Sequence, residues 1–301
     1  MTAAAPLIFD IRRYALDDGP GIRSTVFLKG CNLRCLWCHN PESIDPQPEI
    51  GFYPRDCINC GDCVEACPVS ACQLENPARI DRGKCTRCGD CVKVCPGQAL
   101  RLLGCFYAVD ELLEIIIRDR MFYEVSGGGV TLSGGEPTLF MDYCAAVLGP
   151  LQDLGLHTAI QTNGLFDWRE FKEKVLPLLD LVMLDVKLAD GNLHREYTGR
   201  DNALVWANLE GLLKEKPDAA LPRIPLIPGF TATKGNLEAI SRRLQDLGVR
   251  KCALLPYNPT WFSKAESLGK PIDVRLSPHL MTPGEVAACR EIFSRAELII
   301  H

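Results

Sequence analysis

The sequence predicts an α/β fold built on a parallel sheet and interrupted early by a small cysteine-rich insertion. Three observations predict it. Six short apolar runs alternate with segments of helical period, five of the six end on chemically unusual residues, and one cysteine motif occurs twice between the first run and the next helix.

The six strands are residues 25–30 (TVFLKG), 129–134 (GVTLSG), 157–162 (HTAIQT), 181–187 (LVMLDVK), 223–228 (RIPLIP) and 251–257 (KCALLPY). They are apolar runs rather than alternating ones, as expected of strands buried on both faces. Helical period lies between them. In residues 109–122 (VDELLEIIIRDRMF), Val109, Leu112, Leu113 and Ile116 fall on one face. Strands alternating with helices imply βαβ units. Residues 296–301 (AELIIH) suit one further short strand. The strand ends carry Cys31, then Gly134-Gly135-Glu136, Gln161-Thr162-Asn163, Asp185 with Lys187, and Pro256-Tyr257-Asn258. Function gathers at the C-terminal mouth of a parallel barrel. A doubly wound sheet collects its functional residues at one switch point instead.

The chain has 301 residues, 47% apolar and 24% charged, with a formal net charge of −5. That length suits one large domain or two smaller ones. No block of Lys and Arg offers a face to nucleic acid. No apolar run approaches the ~18 residues of a membrane span. The opening MTAAAPLIFDIRR lacks a basic leader and soon meets Asp10, Arg12 and Arg13, unlike a signal peptide. The expectation is a cytoplasmic monomer with neither nucleic acid nor membrane as partner. In that compartment the sixteen cysteines are reduced, and ligation of metal explains them better than disulfides.

Residues 57–68 (CINCGDCVEACP) and 85–96 (CTRCGDCVKVCP) share C-x-x-C-G-D-C-V-x-x-C-P. Each is the run that holds cubane iron–sulfur clusters, with the fourth cysteine ligating the other cluster. Cys57, Cys60 and Cys63 are therefore expected to pair with Cys95, and Cys85, Cys88 and Cys91 with Cys67. Four-cysteine zinc sites also begin C-x2-C, but they do not repeat so tight a run closed by proline. Residues 51–104 form a ferredoxin-like insert in the first βα connection, flanked by residues 1–50 and 105–301 of the main domain.

Residues 30–41 (GCNLRCLWCHNP) hold Cys31, Cys35 and Cys38. Three thiolates ligate three irons of a cubane and leave the fourth open. Zinc completed by His39 would require neighbouring residues 38 and 39 to reach one tetrahedral ion. Completion by Cys144, Cys252 or Cys289 would make an inert structural cluster.

The pattern C-x3-C-x-aromatic-C, with Trp37, resembles the radical S-adenosylmethionine (SAM) superfamily. The resemblance implies that the open iron takes the amino and carboxylate groups of SAM, and that reduction cleaves the sulfonium to a 5′-deoxyadenosyl radical. Residues 127–137 (GGGVTLSGGEP) resemble the superfamily's GGE motif, whose backbone lies against the methionyl amino group. Glycine there permits close backbone approach.

Residues 18–31 (DGPGIRSTVFLKGC), with SGGEP, the TNG turn, LDVK, RIPLIPG and LLPY, resemble the activating enzymes of glycyl radical enzymes along essentially the whole chain. The resemblance implies a partial (β/α)6 barrel and hydrogen abstraction from a backbone glycine of a large partner enzyme under anaerobic conditions. Three [4Fe–4S] clusters, SAM, and reduced flavodoxin or ferredoxin as donor are implied with it. Asp18 matches the loop that meets the partner's glycine segment. Asp185 and Lys187 match a D-x-K near SAM and the incoming peptide, and Arg223 an arginine facing the SAM carboxylate. Trp37, Gly134, Gly135, Glu136, Thr162, Asn163 and Asn258 are expected around SAM on the same ground. The plainer alternatives are a rim salt bridge for Asp185 and Lys187, and any barrel carboxylate as partner for Arg223.

Two positions depart from the pattern. Gln161 stands where Asp or Glu is common and some members place a monovalent cation. Asn258 stands where histidine is common, and still offers a donor and an acceptor. Cys72, Cys105, Cys144, Cys252 and Cys289 show no ligand spacing and read as structural thiols, with Cys72 and Cys105 nearest the runs. His157, His194 and His279 read as packing or surface residues. An electron carrier would explain residues 51–104 but not GGE, D-x-K or DGPGIR. A radical SAM enzyme acting on a small molecule would explain those motifs but not the full-length match.

Overall fold

All six apolar runs form strands, and they lie side by side in chain order. The computed structural model describes residues 5–295 and 298–300. In sequence the elements are β1 (Leu7–Ala15), β2 (Arg23–Leu28), β3 (Glu49–Phe52), α1 (Asp62–Glu65), α2 (Asp90–Lys93), β4 (Leu100–Leu103), β5 (Cys105–Phe106), α3 (Val109–Ile117), α4 (Arg120–Ser126), β6 (Gly129–Gly134), α5 (Met141–Asp153) and β7 (His157–Thr162). There follow α6 (Trp168–Lys174), β8 (Leu181–Asp185), α7 (Gly191–Thr198), α8 (Ala203–Glu215), β9 (Ala220–Leu226), α9 (Lys234–Asp246), β10 (Lys251–Pro256), α10 (Trp261–Ser267), α11 (Pro283–Arg295) and β11 (Ile299–Ile300).

Nine strands form one mixed sheet in the order β11-β10-β9-β8-β7-β6-β2-β1-β5. Pairing is parallel from β2 through β11. It is antiparallel where β1 meets β2 and β5. Parallel order follows from the helical crossovers, which return each strand to the same end. Helices α3, α5 and α6 cover β2, β6 and β7 through Leu112, Ile116, Val147, Leu151 and Phe171. Helices α8, α9 and α11 cover β8 to β10 through Trp206, Leu209, Ile240 and Phe293. Each such Leu or Phe adds about 1.5–3 kcal/mol relative to exposure.

The differences from the sequence reading have local causes. β1 and β5 lie outside the βαβ series, and β1 follows its short apolar start, Leu7, Ile8 and Phe9, with Asp10, Arg12 and Arg13. β8 stops at Asp185, so Lys187 stands just beyond the strand. β9 begins at Ala220, ahead of the expected start at Arg223. The helical segment from Val109 breaks into α3 and α4 around Asp119, which is 1% exposed. Its carboxylate turns inward and accepts hydrogen bonds from Arg13 Nε (2.6 Å) and Tyr14 Oη (3.1 Å). A buried carboxylate must be paired, and here that need outweighs helical continuity. Of residues 296–301, β11 is parallel to β10, while 296, 297 and 301 lie outside the described residues.

Between β2 and α3, strands β3 and β4 pair antiparallel as a separate two-stranded sheet. Ile50, Phe52, Ile80, Ala99 and Leu100 form a small core there, shared with cysteines of both runs. Helices α1 and α2 carry Cys63 and Cys91, and each is preceded by a glycine with positive φ, Gly61 (93°) and Gly89 (81°). That left-handed turn explains the repeated C-G-D. Among the described residues no helix is long and apolar enough to cross a membrane.

Candidate active site

Cys31, Cys35 and Cys38 lie on the loop leaving the C-terminal end of β2, tied down on both sides. Gly30 N donates to Ser43 O (2.7 Å) and Cys31 N to Ile44 O (3.3 Å), while Arg34 N and Leu36 N donate to Thr198 O and Tyr197 O at the end of α7. Lys29, fully buried at the root of the loop, donates Nζ to Glu42 O and to Glu49 Oε2 (3.1 Å). Lys270 reaches the other oxygen of Glu49 at 2.9 Å. Sequence reasoning missed Lys29, because a lysine ending a strand reads as a rim residue.

The glycines ending β6 are required by the chain itself. Gly135 N donates to Leu28 O and Glu136 N to Gly30 O, both at 2.8 Å. A Cβ on Gly134 would stand 2.3 Å from Leu28 N, and one on Gly135 2.1 Å from Gly30 O. The close approach that glycine permits is to the base of the cysteine loop.

Glu136 is fully buried and binds internally. Its oxygens accept from Thr138 N (3.1 Å), Thr138 Oγ1 (2.6 Å), Thr162 Oγ1 (2.8 Å) and Asn163 N (2.7 Å). Burial raises its pKa, against the pull of those donors. The carboxylate thus locks the TNG turn to the end of β6. Asn163 in turn donates Nδ2 to Asn32 Oδ1 (2.7 Å) and lies 3.7 Å from Cys31 Sγ. Asn32, inside the C-x3-C spacing, has no sequence signal of its own.

Asp185 sits between two cations. Arg223 reaches Oδ1 through Nε (2.9 Å) and Nη2 (2.8 Å), and Lys187 Nζ reaches Oδ2 at 3.1 Å. The pairing follows from register, since Asp185 and Arg223 are direct partners across β8 and β9. Burial pushes the Asp185 carboxyl up, but the charges of Arg223 and Lys187 outweigh it and hold the group below its usual value. Burial lowers Lys187, while the negative charges of Asp185 and Cys35 outweigh that and raise it. Lys187 therefore links the D-x-K to the cysteine loop.

Asp18 lies in the loop between β1 and β2. Its Oδ2 accepts from Thr25 Oγ1 and its Oδ1 from Gln161 Nε2, both at 2.8 Å, and Thr131 Oγ1 donates to its backbone oxygen. Gln161 Oε1 accepts from Ser133 Oγ at 2.6 Å. The amide is a donor on one side and an acceptor on the other, a double role that no carboxylate fills.

Two expected SAM contacts stand apart. Trp37 is 5% exposed, and its ring packs against Tyr197 and Phe230. Asn258 is exposed, and its Oδ1 caps the following turn by accepting from Thr260 N at 3.0 Å. Of the remaining cysteines, Cys144, Cys252 and Cys289 are buried and Cys105 is exposed on β5. Cys72 is buried among the insert cysteines.

Burial pushes the Cys31 thiol up to about 12 and raises Cys35 and Cys38 too, with neighbouring thiols adding at Cys31 and Cys38. Ionising all three calls for a compensating cation, and a thiolate donor set suits iron–sulfur clusters. Among the described residues no three His, Cys, Asp or Glu side chains gather as ligands of one ion. A cubane asks for a different spread, one thiolate per iron. In the insert, Cys57, Cys60 and Cys63 line one cavity with Cys95, beside Phe52 and Arg79.

Comparison with known proteins matches residues 17–207 to the family described as "4Fe-4S single cluster domain". The chain is 42% identical to the benzylsuccinate synthase activating enzyme of Thauera aromatica, over 79% of this chain and 74% of that one. It is 41% identical to the trans-4-hydroxy-L-proline dehydratase activating enzyme of Clostridioides difficile, over 84% of each. Among solved structures, a radical SAM methyltransferase from Sphaerobacter thermophilus superposes with a TM-score of 0.52 at 13% identity, covering all of this chain and 77% of that one. That last likeness is one of fold.

Proposed function

The chain belongs to the family of glycyl radical enzyme activating enzymes, and we propose that it installs a radical on a backbone glycine of such a partner. The observation that carries this reading is convergence. The cysteine loop and the ends of β6 and β7 are bonded to one another at one end of the sheet, and the D-x-K lies close enough for the charge of Cys35 to bear on Lys187. We read β2 and β6 to β10 with their helices as a partial (β/α)6 barrel, residues 1–50 and 105–301, and residues 51–104 as a ferredoxin-like insert.

Cys31, Cys35 and Cys38 would hold a [4Fe–4S] cluster with one iron open to SAM. When bound, the pair supplies one-electron cleavage of the sulfonium C–S bond, giving methionine and a 5′-deoxyadenosyl radical that takes one hydrogen atom from the glycine Cα. The chain's own residues position and shield. Glu136 fixes the TNG turn, Asn163 directs an N–H toward Cys31, and Lys187 offsets negative charge beside Cys35. Asp185 presents a carboxylate neutralised in advance by Arg223 and Lys187, so an incoming peptide meets no bare buried charge. Asp18, on the loop facing the partner's glycine, is held by Gln161 and Thr25.

Gln161 then has a defined job. Gln161→Glu sets a carboxylate against Asp18 and loses the donor to it. SAM cleavage is expected to continue while glycyl radical yield falls, so that 5′-deoxyadenosine released per radical rises severalfold. An unchanged ratio would rule out the positioning role.

Three clusters correspond to roughly twelve irons per chain. Four irons, or zinc, would overturn the insert reading. The function itself is tested by anaerobic incubation with SAM, a reductant and a purified glycyl radical enzyme. The expected result is a glycyl radical signal on the partner, with one 5′-deoxyadenosine per radical. SAM consumption tied to a small molecule, with no radical on any partner, would favour a small-molecule enzyme.

The insert has a sided arrangement. Arg87, between Cys85 and Cys88, bridges to Asp45 at 3.0 Å on the segment leading away from Cys38. Arg82 donates to Ser267 O, at the end of α10, at 3.0 Å. Near the first run, Arg101 bridges to Asp56 at 2.6 Å within the insert. We assign the Cys67/Cys85/Cys88/Cys91 cluster the inner position, toward the barrel, and the Cys57/Cys60/Cys63/Cys95 cluster the outer one. A reduced flavodoxin or ferredoxin would deliver electrons there, away from the mouth where the partner docks.

A further inference from the structure

Arg79 lies in the linker between the two cysteine runs and is 5% exposed, with a positive φ of 60°. Its guanidinium stacks over Phe52, 5.3 Å from the ring centre. Nη2 donates to Asn59 Oδ1 at 2.7 Å and lies 3.6 Å from Cys57 Sγ. Nη1 reaches Gln73 O at 3.4 Å, and Nε is buried with no partner. None of these partners is a carboxylate. Among the described residues this permanently charged group is thus buried without a counter-ion from an acidic side chain, an arrangement that ordinarily costs several kcal/mol.

The cavity beside it is lined by Cys57, Cys60, Cys63 and Cys95, and among the described residues no Asp or Glu lines it. Arg82, near the second run, is placed differently. Its Nε likewise lacks a partner, but the charge of the Glu49 carboxylate reaches it alongside those of Cys85 and Cys91, and its Nη groups donate to Ile50 O and Ser267 O rather than to sulfur.

We propose that Arg79 is the built-in countercharge of the outer cluster and raises its reduction potential. The inference rests on the insert reading above. Reduction adds one electron, hence one negative charge, to a cluster already carrying four thiolates. A fixed cation at low dielectric stabilises the reduced form more than the oxidised one, and an N–H directed at a ligand sulfur acts in the same sense. Arg79 is a positioning and tuning residue and touches no substrate.

The test uses the full chain, reconstituted anaerobically with iron and sulfide. Redox titration is followed by electron paramagnetic resonance for wild type, Arg79→Gln, Arg79→Met and Arg79→Lys. Arg79→Gln and Arg79→Met are expected to lower the midpoint of one insert cluster and leave the other in place, with Arg79→Lys near wild type. If the neutral variants lose that cluster while Arg79→Lys keeps it, the countercharge role is supported by iron content instead. Neutral variants with full iron and unmoved potentials would overturn the proposal, as would equal shifts of both insert clusters. Wild-type protein that never holds more than four irons would overturn the insert reading on which it rests.

Discussion

Cys35→Ala is expected to abolish reductive cleavage of SAM, lowering 5′-deoxyadenosine below detection, while the insert keeps its iron. Cys35 lies at the centre of the loop. Its carbonyl accepts from Cys38 N at 3.2 Å, and the charge of its sulfur bears on Lys187 more than that of Cys31 does. Removing it leaves two thiolates, too few to hold a site-differentiated cubane. The insert cysteines share no ligand with the loop and pack around Ile50, Phe52 and Leu100, so iron should fall by about a third, from roughly twelve to roughly eight per chain. The measurement is product release after dithionite reduction, run beside iron analysis on the same sample. Release of 5′-deoxyadenosine by a variant with that iron content would place the chemistry elsewhere.

The catalytic end of the sheet was legible because its chemistry is carried by residues close in sequence. Cysteine spacing, the GGE and TNG turns and the D-x-K each announce themselves within a few positions, and apolar strands between helical segments order them along one edge. What escaped was set by tertiary contact. β1 has only the short run Leu7, Ile8 and Phe9 before its charged residues, and its place follows from antiparallel pairing with β2. The helix breaks around Asp119 because its buried carboxylate must be paired, and its partner Arg13 is distant in sequence. Glu136 belongs to a recognised motif, but its bonds to Thr162 and Asn163 become visible only once β6 and β7 are adjacent. Gln161 read as a departure that weakens the case for a cation site. In the folded chain it is an amide bridging Ser133 and Asp18. Arg79 had no pattern at all, since a lone arginine in a linker reads as solvated until its surroundings are known.

Replacing Cys60 and Cys88 together by Ala is expected to leave SAM binding nearly intact and cut multiple-turnover activation by a protein donor at least tenfold. A single turnover should survive when the barrel cluster is chemically reduced beforehand. The argument is one of access. On the proposed function the partner's glycine must reach the end of the sheet that carries Cys31, Asn163 and Lys187, and a donor protein cannot fill that opening at the same time. Cys60 and Cys88 are the exposed cysteines of the two runs, whereas Cys31, Cys35 and Cys38 are half-buried, so on the proposed reading the insert offers a second approach for electrons. Metal binding also holds small domains folded, and a purely structural insert would fail differently. Losing its clusters would loosen β3 and β4, and with them Glu49, which anchors Lys29 and Lys270 at the root of the cysteine loop. That failure would reach SAM binding and the pre-reduced single turnover alike. Comparing the two activities in a soluble variant that still binds SAM therefore separates the roles. Loss confined to donor-driven turnover identifies a relay, and equal loss of both identifies a scaffold.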